Sequence, residues 1–206
     1  LLSGNYRFDS CRGHQTFKFA DCADAMKYIV FLVIIGLLIW LWRSKSANKS
    51  SDGGLPLVGQ PAPGFDLPDT RGHRHRLSDY RGRWLVLYFY PKADTPGCTR
   101  QSCKFRDDWQ SFQQMGVALA GISADAPAAN AAFALKFHLP FPLFSDTGGA
   151  FARQYGAWMN LGITGFPRRY TYLIDPDGRI AKVYTDVSVS EHSQEVLTDL
   201  KRLTGY

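Results

Sequence analysis

The sequence lacks the features that mark several large functional classes. It has four cysteines in 206 residues, which is too few for a disulfide scaffold. Its five histidines do not gather with cysteines or carboxylates into the four clustered ligands of a zinc site. A glycine-rich phosphate loop, an arginine-rich stripe and a nucleic-acid-binding module are also missing. We therefore expect no metal site, no bound cofactor and no nucleic-acid partner.

Positive charge is concentrated near the start of the chain. The net charge is +6, and residues 1–50 hold seven Lys or Arg against three Asp. These cations flank an uninterrupted apolar run of fifteen residues, Tyr28–Trp42. A basic excess beside an apolar run favours a membrane surface, rather than nucleic acid, as the partner.

The apolar run predicts a single transmembrane or signal-anchor helix over residues 26–43. A span usually needs about twenty residues, and extension back past Lys27 to Ala23 supplies them. A cleaved signal peptide is the competing interpretation, because the run also has the length of a signal-peptide core. The basic residues that follow, Arg43, Lys45 and Lys49, favour a cytoplasmic location for the rest of the chain, while Lys27 on the other flank leaves a periplasmic location open.

Three further segments are predicted. Residues 1–25 are an N-terminal extension that need not belong to the native protein, because Met26 is a candidate native start. Residues 44–56 are rich in Ser, Lys, Asn and Gly, which is typical of a flexible linker. Residues 57–206 alternate strand-like and helix-like segments and end with a hairpin around Asp175-Pro-Asp-Gly178. This order predicts an α/β domain with a mixed sheet.

The segment most indicative of function follows the strand-like run 84–89 and reads Tyr90-Pro-Lys-Ala-Asp-Thr-Pro-Gly-Cys98. Thr95 is predicted to cap a helix that starts at Pro96 and runs to Met115. Cys98 then lies in the first turn, near unpaired backbone N–H groups and the positive end of the helix dipole. Such a position favours the thiolate form of a cysteine, which indicates a nucleophile or a redox centre.

This segment resembles the signature of the peroxiredoxins. The pattern Pro91-x-x-x-Thr95-x-x-Cys98 matches, and the wider string, with a second cysteine at Cys103, is similar to the Q-type (bacterioferritin-comigratory) subfamily. The similarity extends from about Leu57 to the C-terminus and leaves out the first fifty residues. It implies a thioredoxin fold, in which helices flank a mixed central sheet. It also implies a thiol-dependent peroxidase acting on hydrogen peroxide and small organic hydroperoxides.

The resemblance assigns a role to each site residue. Cys98 is expected to be the peroxidatic cysteine, which attacks the peroxide and becomes a sulfenic acid. Thr95 is expected to contact the thiolate and the peroxide, and Pro91 to keep water out of the pocket. Arg169, rather than the adjacent Arg168, is expected to stabilise the thiolate and orient the peroxide oxygens.

Cys103 is expected, again by resemblance, to be the resolving cysteine that forms an intramolecular disulfide with Cys98. On a regular helix, an offset of five residues puts the two Cα atoms about 8–9 Å apart, beyond the limit of about 7 Å for a disulfide. Pairing therefore requires the helix to unwind around residues 97–106. The alternative interpretation of Cys103 is a buried core thiol.

The resemblance further implies a cycle without metal, haem or flavin, a thioredoxin-like dithiol reductant, and a monomer or weak dimer. Two other functions fit parts of the pattern. A thioredoxin-type thiol–disulfide oxidoreductase shares the fold, but such enzymes carry Cys-x-x-Cys, whereas this chain has Cys-x-x-x-x-Cys. A copper-delivery module uses Cys-x-x-x-Cys and a distant His, a spacing that is not found here.

Overall fold

The computed structural model describes residues 32–36, 54–56 and 58–205. Residues Ser50–Tyr206 form one compact unit. Of the predicted anchor at 26–43, only residues 32–36 are described, and they are helical. The rest of the anchor, the extension 1–25 and most of the linker lie outside the described residues. Within the described part of the chain, no helix combines the length and the apolar character that crossing a membrane requires.

The strands of the compact unit, in chain order, are β1 (Asp66–Pro68), β2 (Arg74–Arg76), β3 (Leu85–Phe89), β4 (Ala118–Ser123), β5 (Leu143–Ser145), β6 (Trp158–Leu161), β7 (Thr164–Pro167), β8 (Thr171–Ile174) and β9 (Ile180–Tyr184). The α-helices are α1 (Pro96–Asp107), α2 (Trp109–Gln114), α3 (Pro127–Lys136), α4 (Ala150–Gln154) and α5 (His192–Thr204).

A five-stranded mixed sheet lies at the centre, in the order β5-β4-β3-β8-β9. β3, β4 and β5 are parallel, whereas β8 pairs antiparallel with both β3 and β9. Every residue of β3 is buried, as expected for a central strand that is covered on both faces. The α/β class and the mixed sheet predicted from the sequence are confirmed.

Helices cover both faces of the sheet, because alternate residues of each strand point to opposite sides. On one face, Tyr88 of β3 belongs to a core cluster with Phe105 of α1 and with apolar residues of α2, α3 and α5. On the other face, Phe89 joins a cluster with α4 and with the 3₁₀ turn Leu77–Tyr80. Cys98 is a member of the first cluster, so the candidate site lies on the α1 face.

The single helix predicted over Pro96–Met115 is in fact two helices. α1 ends at Asp107 and α2 begins at Trp109. Between them, Asp108 has a φ of −92° and a ψ of 4°, and its carbonyl accepts the N–H of Ser111 at 3.0 Å in a tight turn. Aspartate is unfavourable inside a helix because its side chain competes for backbone hydrogen bonds, which accounts for a break at this position.

Residues 158–167, whose apolar, glycine-containing sequence suggests a loop, form a hairpin outside the main sheet. β6 and β7 pair antiparallel, with Met159 opposite Phe166. Gly162 has a φ of 85° at the turn, a conformation that glycine adopts without steric penalty. The hairpin ends two residues before Arg169, so it leads the chain directly into the site.

Candidate active site

Cys98 lies in the first turn of α1, after the loop that follows β3. Its helix begins at Pro96, and Thr95 occupies the cap position in an extended conformation. The first backbone N–H groups of a helix have no partner within the helix and carry a partial positive charge. The buried thiol therefore lies where a negative charge on sulfur is stabilised.

The guanidinium of Arg169 reaches the thiol from the start of β8. Its Nη2 donates to the Sγ of Cys98 at 3.4 Å, and its Nη1 donates to the Oε1 of Gln101 at 2.7 Å. The neighbouring Arg168 is exposed and donates to the hydroxyl of Tyr170 at 3.3 Å. Of the two adjacent arginines, the structure places Arg169 beside the thiol.

The approach of the guanidinium depends on the absence of a side chain at position 97. A Cβ atom added to Gly97 would lie 3.1 Å from the Nη2 of Arg169, which is closer than an ordinary van der Waals contact. Glycine lowers helix stability, so a packing requirement accounts for its presence in α1. Gly97 leaves room for the arginine.

Thr95 does not cap α1 through its side chain, contrary to the prediction from the sequence. Its hydroxyl donates to the carbonyl oxygen of Lys92 at 2.9 Å and tightens the loop before the helix. Among the described residues, Arg169 rather than Thr95 donates to the sulfur of Cys98. The expected contact of Thr95 with thiolate and peroxide stays a prediction.

Two carboxylates hold the loop that precedes α1. Asp125, just beyond β4, accepts the backbone N–H of Ala93 at 2.7 Å. Asp94 has a φ of 57°, a left-handed conformation that is uncommon outside glycine, and its carboxylate pairs with Lys136 at 2.7 Å. Pro91 is half-buried where the loop leaves the sheet. The loop from strand to helix is therefore held at its two middle residues, Ala93 and Asp94.

Gln101 belongs to the site, although the sequence pattern does not single it out. It follows Cys98 by one helical turn, which puts the two residues on the same face of α1. Its side chain is 1% exposed and accepts the hydrogen bond from Arg169. Its Nε2 atom is buried without a hydrogen-bond partner among the described residues. A polar residue on the buried face of the helix is the signal that could have identified it.

A buried polar chain continues from the site to α5. Thr171, two residues after Arg169, has its Oγ1 atom 2.9 Å from the Nε2 of His192. The Nδ1 atom of the same imidazole lies 3.1 Å from the Oε2 of Glu195. Burial lowers the pKa of His192 below its usual value of 6.5, against the opposing effect of Glu195. The sequence alone does not indicate a partner for His192, because Thr171 lies on a strand, β8, and Glu195 lies one turn further along α5.

Cys103 lies on the same uninterrupted helix as Cys98. It is half-buried, and both thiols are free. Because both residues lie within α1, the helical offset keeps their Cα atoms about 8–9 Å apart. That separation is too large for a disulfide, so this is a reduced, folded state of the cysteine pair.

The arrangement suits attack by a thiolate on an electrophilic oxygen. A helix N-terminus and a guanidinium both stabilise negative charge as it develops on sulfur and oxygen. Among the residues that the structure describes, no group of three or more His, Cys, Asp or Glu side chains is placed to hold a metal ion.

Comparison with known proteins identifies the family and tests the fold. The model of the AhpC/TSA family matches residues 58–183. The chain belongs to this family. Peroxiredoxin Bcp of Escherichia coli (strain K12) is 41% identical over 148 residues, which cover 70% of this chain and 95% of that protein.

Solved structures of peroxiredoxins agree with the fold. Peroxidoxin BcpB from Mycobacterium tuberculosis matches with a TM-score of 0.68 and 34% identity, over 72% of this chain and 98% of that chain. The bacterioferritin comigratory protein of Xanthomonas campestris matches with a TM-score of 0.63 and 31% identity, over 68% of this chain and 91% of that chain. The thioredoxin-like fold is confirmed, and the chain is a Bcp/Q-type peroxiredoxin, a thiol-dependent peroxidase that acts on hydroperoxides.

Proposed function

We propose that Cys98 is the peroxidatic cysteine of this peroxidase. Its thiolate attacks the terminal oxygen of a hydroperoxide and the O–O bond breaks. The sulfur keeps the OH group as a sulfenic acid, and the departing alkoxide or hydroxide takes up a proton. The observation that carries this proposal is the hydrogen bond from Arg169 to the Sγ of Cys98. This guanidinium stabilises negative charge while the charge moves from sulfur to the leaving oxygen.

Thr95 and Pro91 complete the pocket in this proposal, as their positions in the family signature imply. Rotation about the Cα–Cβ bond of Thr95 exchanges the carbonyl of Lys92 for the incoming peroxide, because side chains move readily between staggered rotamers. The ring of Pro91 keeps water from the thiolate. The pocket therefore binds the two peroxide oxygens between the hydroxyl of Thr95 and the guanidinium of Arg169.

Cys103 is the resolving cysteine in this proposal. Its thiol attacks the sulfur of the Cys98 sulfenic acid, a disulfide forms, and the OH group leaves as water. The start of α1 unwinds so that the two sulfur atoms can meet. A thioredoxin-like dithiol protein then reduces the disulfide by exchange and becomes oxidised itself.

The substrates in this proposal are hydrogen peroxide and organic hydroperoxides. Organic substrates are supported by the related Xanthomonas campestris protein, whose structure is described in terms of alkyl peroxide reduction. The thioredoxin-type oxidoreductase is the weaker alternative, because the two cysteines are five residues apart on one continuous helix. Reduction of insulin without peroxide turnover would favour that alternative.

The roles of the two cysteines are tested by comparing peroxide consumption by the wild-type protein and by two single variants, Cys98→Ser and Cys103→Ser. The compact unit Ser50–Tyr206 is suited to this assay, because the relatives above consist almost entirely of the matching region. With thioredoxin, thioredoxin reductase and NADPH, wild type should turn over hydrogen peroxide and Cys98→Ser should not. Cys103→Ser should consume about one equivalent and then stall. Sustained turnover by Cys103→Ser would show that another thiol resolves the sulfenic acid.

We also propose that residues 26–43 tether the enzyme to a membrane as a single span, with the catalytic domain in the cytoplasm. The support is the apolar run Tyr28–Trp42, followed by Arg43, Lys45 and Lys49. The native protein should stay with membranes through an alkaline carbonate wash and dissolve in detergent. Release of the protein into the supernatant by carbonate would contradict the proposed membrane anchor, but it would not bear on the proposed peroxidase reaction.

A further inference from the structure

The β6–β7 hairpin, which ends two residues before Arg169, carries an exposed apolar surface. Met159, Leu161 and Phe166 lie on one face, because Met159 pairs with Phe166 and alternate residues of a strand share a side. Exposure rises towards the turn: Met159 and Phe166 are half-buried, Leu161 is 58% exposed, and Ile163 at the turn is fully exposed. Within the described part of the chain, none of the four joins either core cluster.

The opposite face of the hairpin provides its attachment to the domain. A Cβ atom added to Gly165 would come within 2.6 Å of the indole of Trp158, so the ring lies directly over this glycine. Trp158 packs against a core cluster. Contiguous exposed aliphatic side chains mark interaction sites more often than ordinary surface. The hairpin thus has one face bound to the domain and one left for a partner.

The surroundings of the hairpin are cationic. Between Asp146 and Asp175 the chain contains no Asp or Glu. Arg153 lies over the ring of Trp158, with its guanidinium carbon 4.4 Å from the ring centroid, and Arg168 is exposed just beyond the second strand. An apolar protrusion with an indole and cations at its base has the composition of surfaces that bind anionic bilayers.

We propose that this hairpin is a membrane-docking surface. Leu161 and Ile163 insert between the headgroups of an anionic bilayer, and Arg153 and Arg168 contact lipid phosphates. An exposed tip with two aliphatic side chains, in a stretch of the chain without Asp or Glu, suits a fluid apolar phase, whereas a protein partner would have to supply a matching cavity. The apolar run near the start of the same chain is a second feature that suits a membrane.

The consequence for catalysis rests on the proposed function. Arg169 follows the end of the hairpin, Pro167, by two residues and donates to the sulfur of Cys98. Docking of the hairpin therefore holds the strand that leads into Arg169 at the bilayer surface. Hydroperoxides carried by membrane lipids are then substrates of the same reaction, in which Cys98 becomes the sulfenic acid and the lipid hydroperoxide becomes the lipid alcohol.

Vesicle co-sedimentation of the compact unit Ser50–Tyr206 tests the docking, because this unit lacks the apolar run. We expect binding to vesicles of phosphatidylcholine mixed with phosphatidylglycerol. The double variant L161N/I163N should lower partitioning by about tenfold or more, because both side chains lose their apolar burial. The matched control Leu135→Asn removes a leucine that is 76% exposed on α3 and should bind as wild type does.

Turnover measurements separate the docking from the chemistry. L161N/I163N should reduce hydrogen peroxide in solution at the wild-type rate, and should lose turnover of phospholipid hydroperoxides in vesicles in parallel with binding. Absence of vesicle binding by wild type, or equal binding by the double variant, would overturn the proposal. A raised KM for the protein reductant in L161N/I163N with unchanged vesicle binding would assign this face to the reductant. Failure of wild type to reduce hydrogen peroxide would instead contradict the proposed function.

Discussion

The ring of Phe105 meets the imidazole of His192 edge-on, with the centroids 5.7 Å apart and the planes at 77°. α1, the helix that carries both cysteines, therefore packs against a buried histidine of α5. Tyr184 packs against the same imidazole, with the centroids 5.0 Å apart. Aromatic rings on the imidazole exclude water, which disfavours its charged form. Protonation of His192 is therefore expected to weaken the packing of α1 against α5.

Stability should fall in acid partly through His192. Burial lowers the pKa of this imidazole in the folded state, whereas the unfolded chain binds the proton near the usual 6.5. Between the folded-state pKa and the usual value the unfolded state holds more protons, so the free energy of unfolding decreases as the pH falls from about 7 towards the lowered pKa of the folded state. His192→Asn should flatten this dependence in urea unfolding followed by circular dichroism.

The matched control for this measurement is His138→Asn. His138 is exposed and has a φ of 51°, a left-handed conformation that asparagine tolerates well. Removal of this histidine should leave the dependence on pH as in wild type. A wild-type dependence in His192→Asn as well would mean that other groups cause the loss of stability in acid.

Oxidation should unfold the start of α1. In the reduced protein, the amides of residues 99–106 are protected by the helix and by the burial of Phe105. In the Cys98–Cys103 disulfide form, these amides should exchange with solvent about tenfold faster or more, whereas the amides of α3 should not change. Mass-spectrometric hydrogen exchange on both forms measures this difference. Equal protection would show that the disulfide closes without unwinding of the helix.

Gln101 should act as a positioning residue for Arg169. Gln101→Met keeps the volume and removes the acceptor, so the guanidinium loses a hydrogen bond to a charged group, which is worth about 1.5–3 kcal/mol. We expect kcat/KM for hydrogen peroxide to fall by about tenfold to a hundredfold. Gln101→Glu, which restores an acceptor, should recover part of the activity.

The control for this substitution is Ser102→Ala. Ser102 is fully buried on the same helix, and its Oγ atom lies 3.0 Å from the hydroxyl of Tyr88. Its loss should lower stability by about 1–3 kcal/mol, because a buried hydroxyl is left unpaired, and should leave turnover largely intact. If Gln101→Met and Ser102→Ala lost stability and activity in the same proportion, the role of Gln101 would be structural.

Gly97→Ala should move stability and activity in opposite directions. Alanine in a helix is favoured over glycine, so the free energy of unfolding should rise by up to about 1 kcal/mol. The added Cβ atom crowds the guanidinium of Arg169, so kcat/KM for peroxide should fall by about tenfold. Gly64→Ala is the control, because a Cβ atom there meets nothing within 4 Å. Full activity in Gly97→Ala would show that the arginine adapts.

Much of the fold could be predicted because its elements are encoded locally. The strand-like run 84–89, the proline at the start of α1 and the turn Asp175-Pro-Asp-Gly178 each depend on neighbouring residues. The β6–β7 hairpin could not be recognised, because Gly162 and Gly165 interrupt its alternating pattern. The break at Asp108 could not be predicted either. It reflects only a small energetic preference of aspartate, and the apolar residues on both sides of it keep a helical spacing.

The candidate site was predictable only as far as a motif extends. Cys98 and Arg169 stand in recognisable strings, and the structure brings them together. Gln101 and His192 are not part of such strings, because their importance arises from burial and from partners on other elements. Residues of this kind are identified by tertiary packing, which a single sequence does not display.

The antiparallel pairing of β3 with β8 has a consequence for biosynthesis. Cys98 and Arg169 are 71 residues apart along the chain, and the strand that precedes the cysteine pairs with the strand that follows the arginine. As the chain leaves the ribosome, the cysteine emerges well before the arginine that donates to its sulfur. The guanidinium of Arg169 reaches Cys98 only when β8 has paired with β3, so this contact forms together with the centre of the sheet.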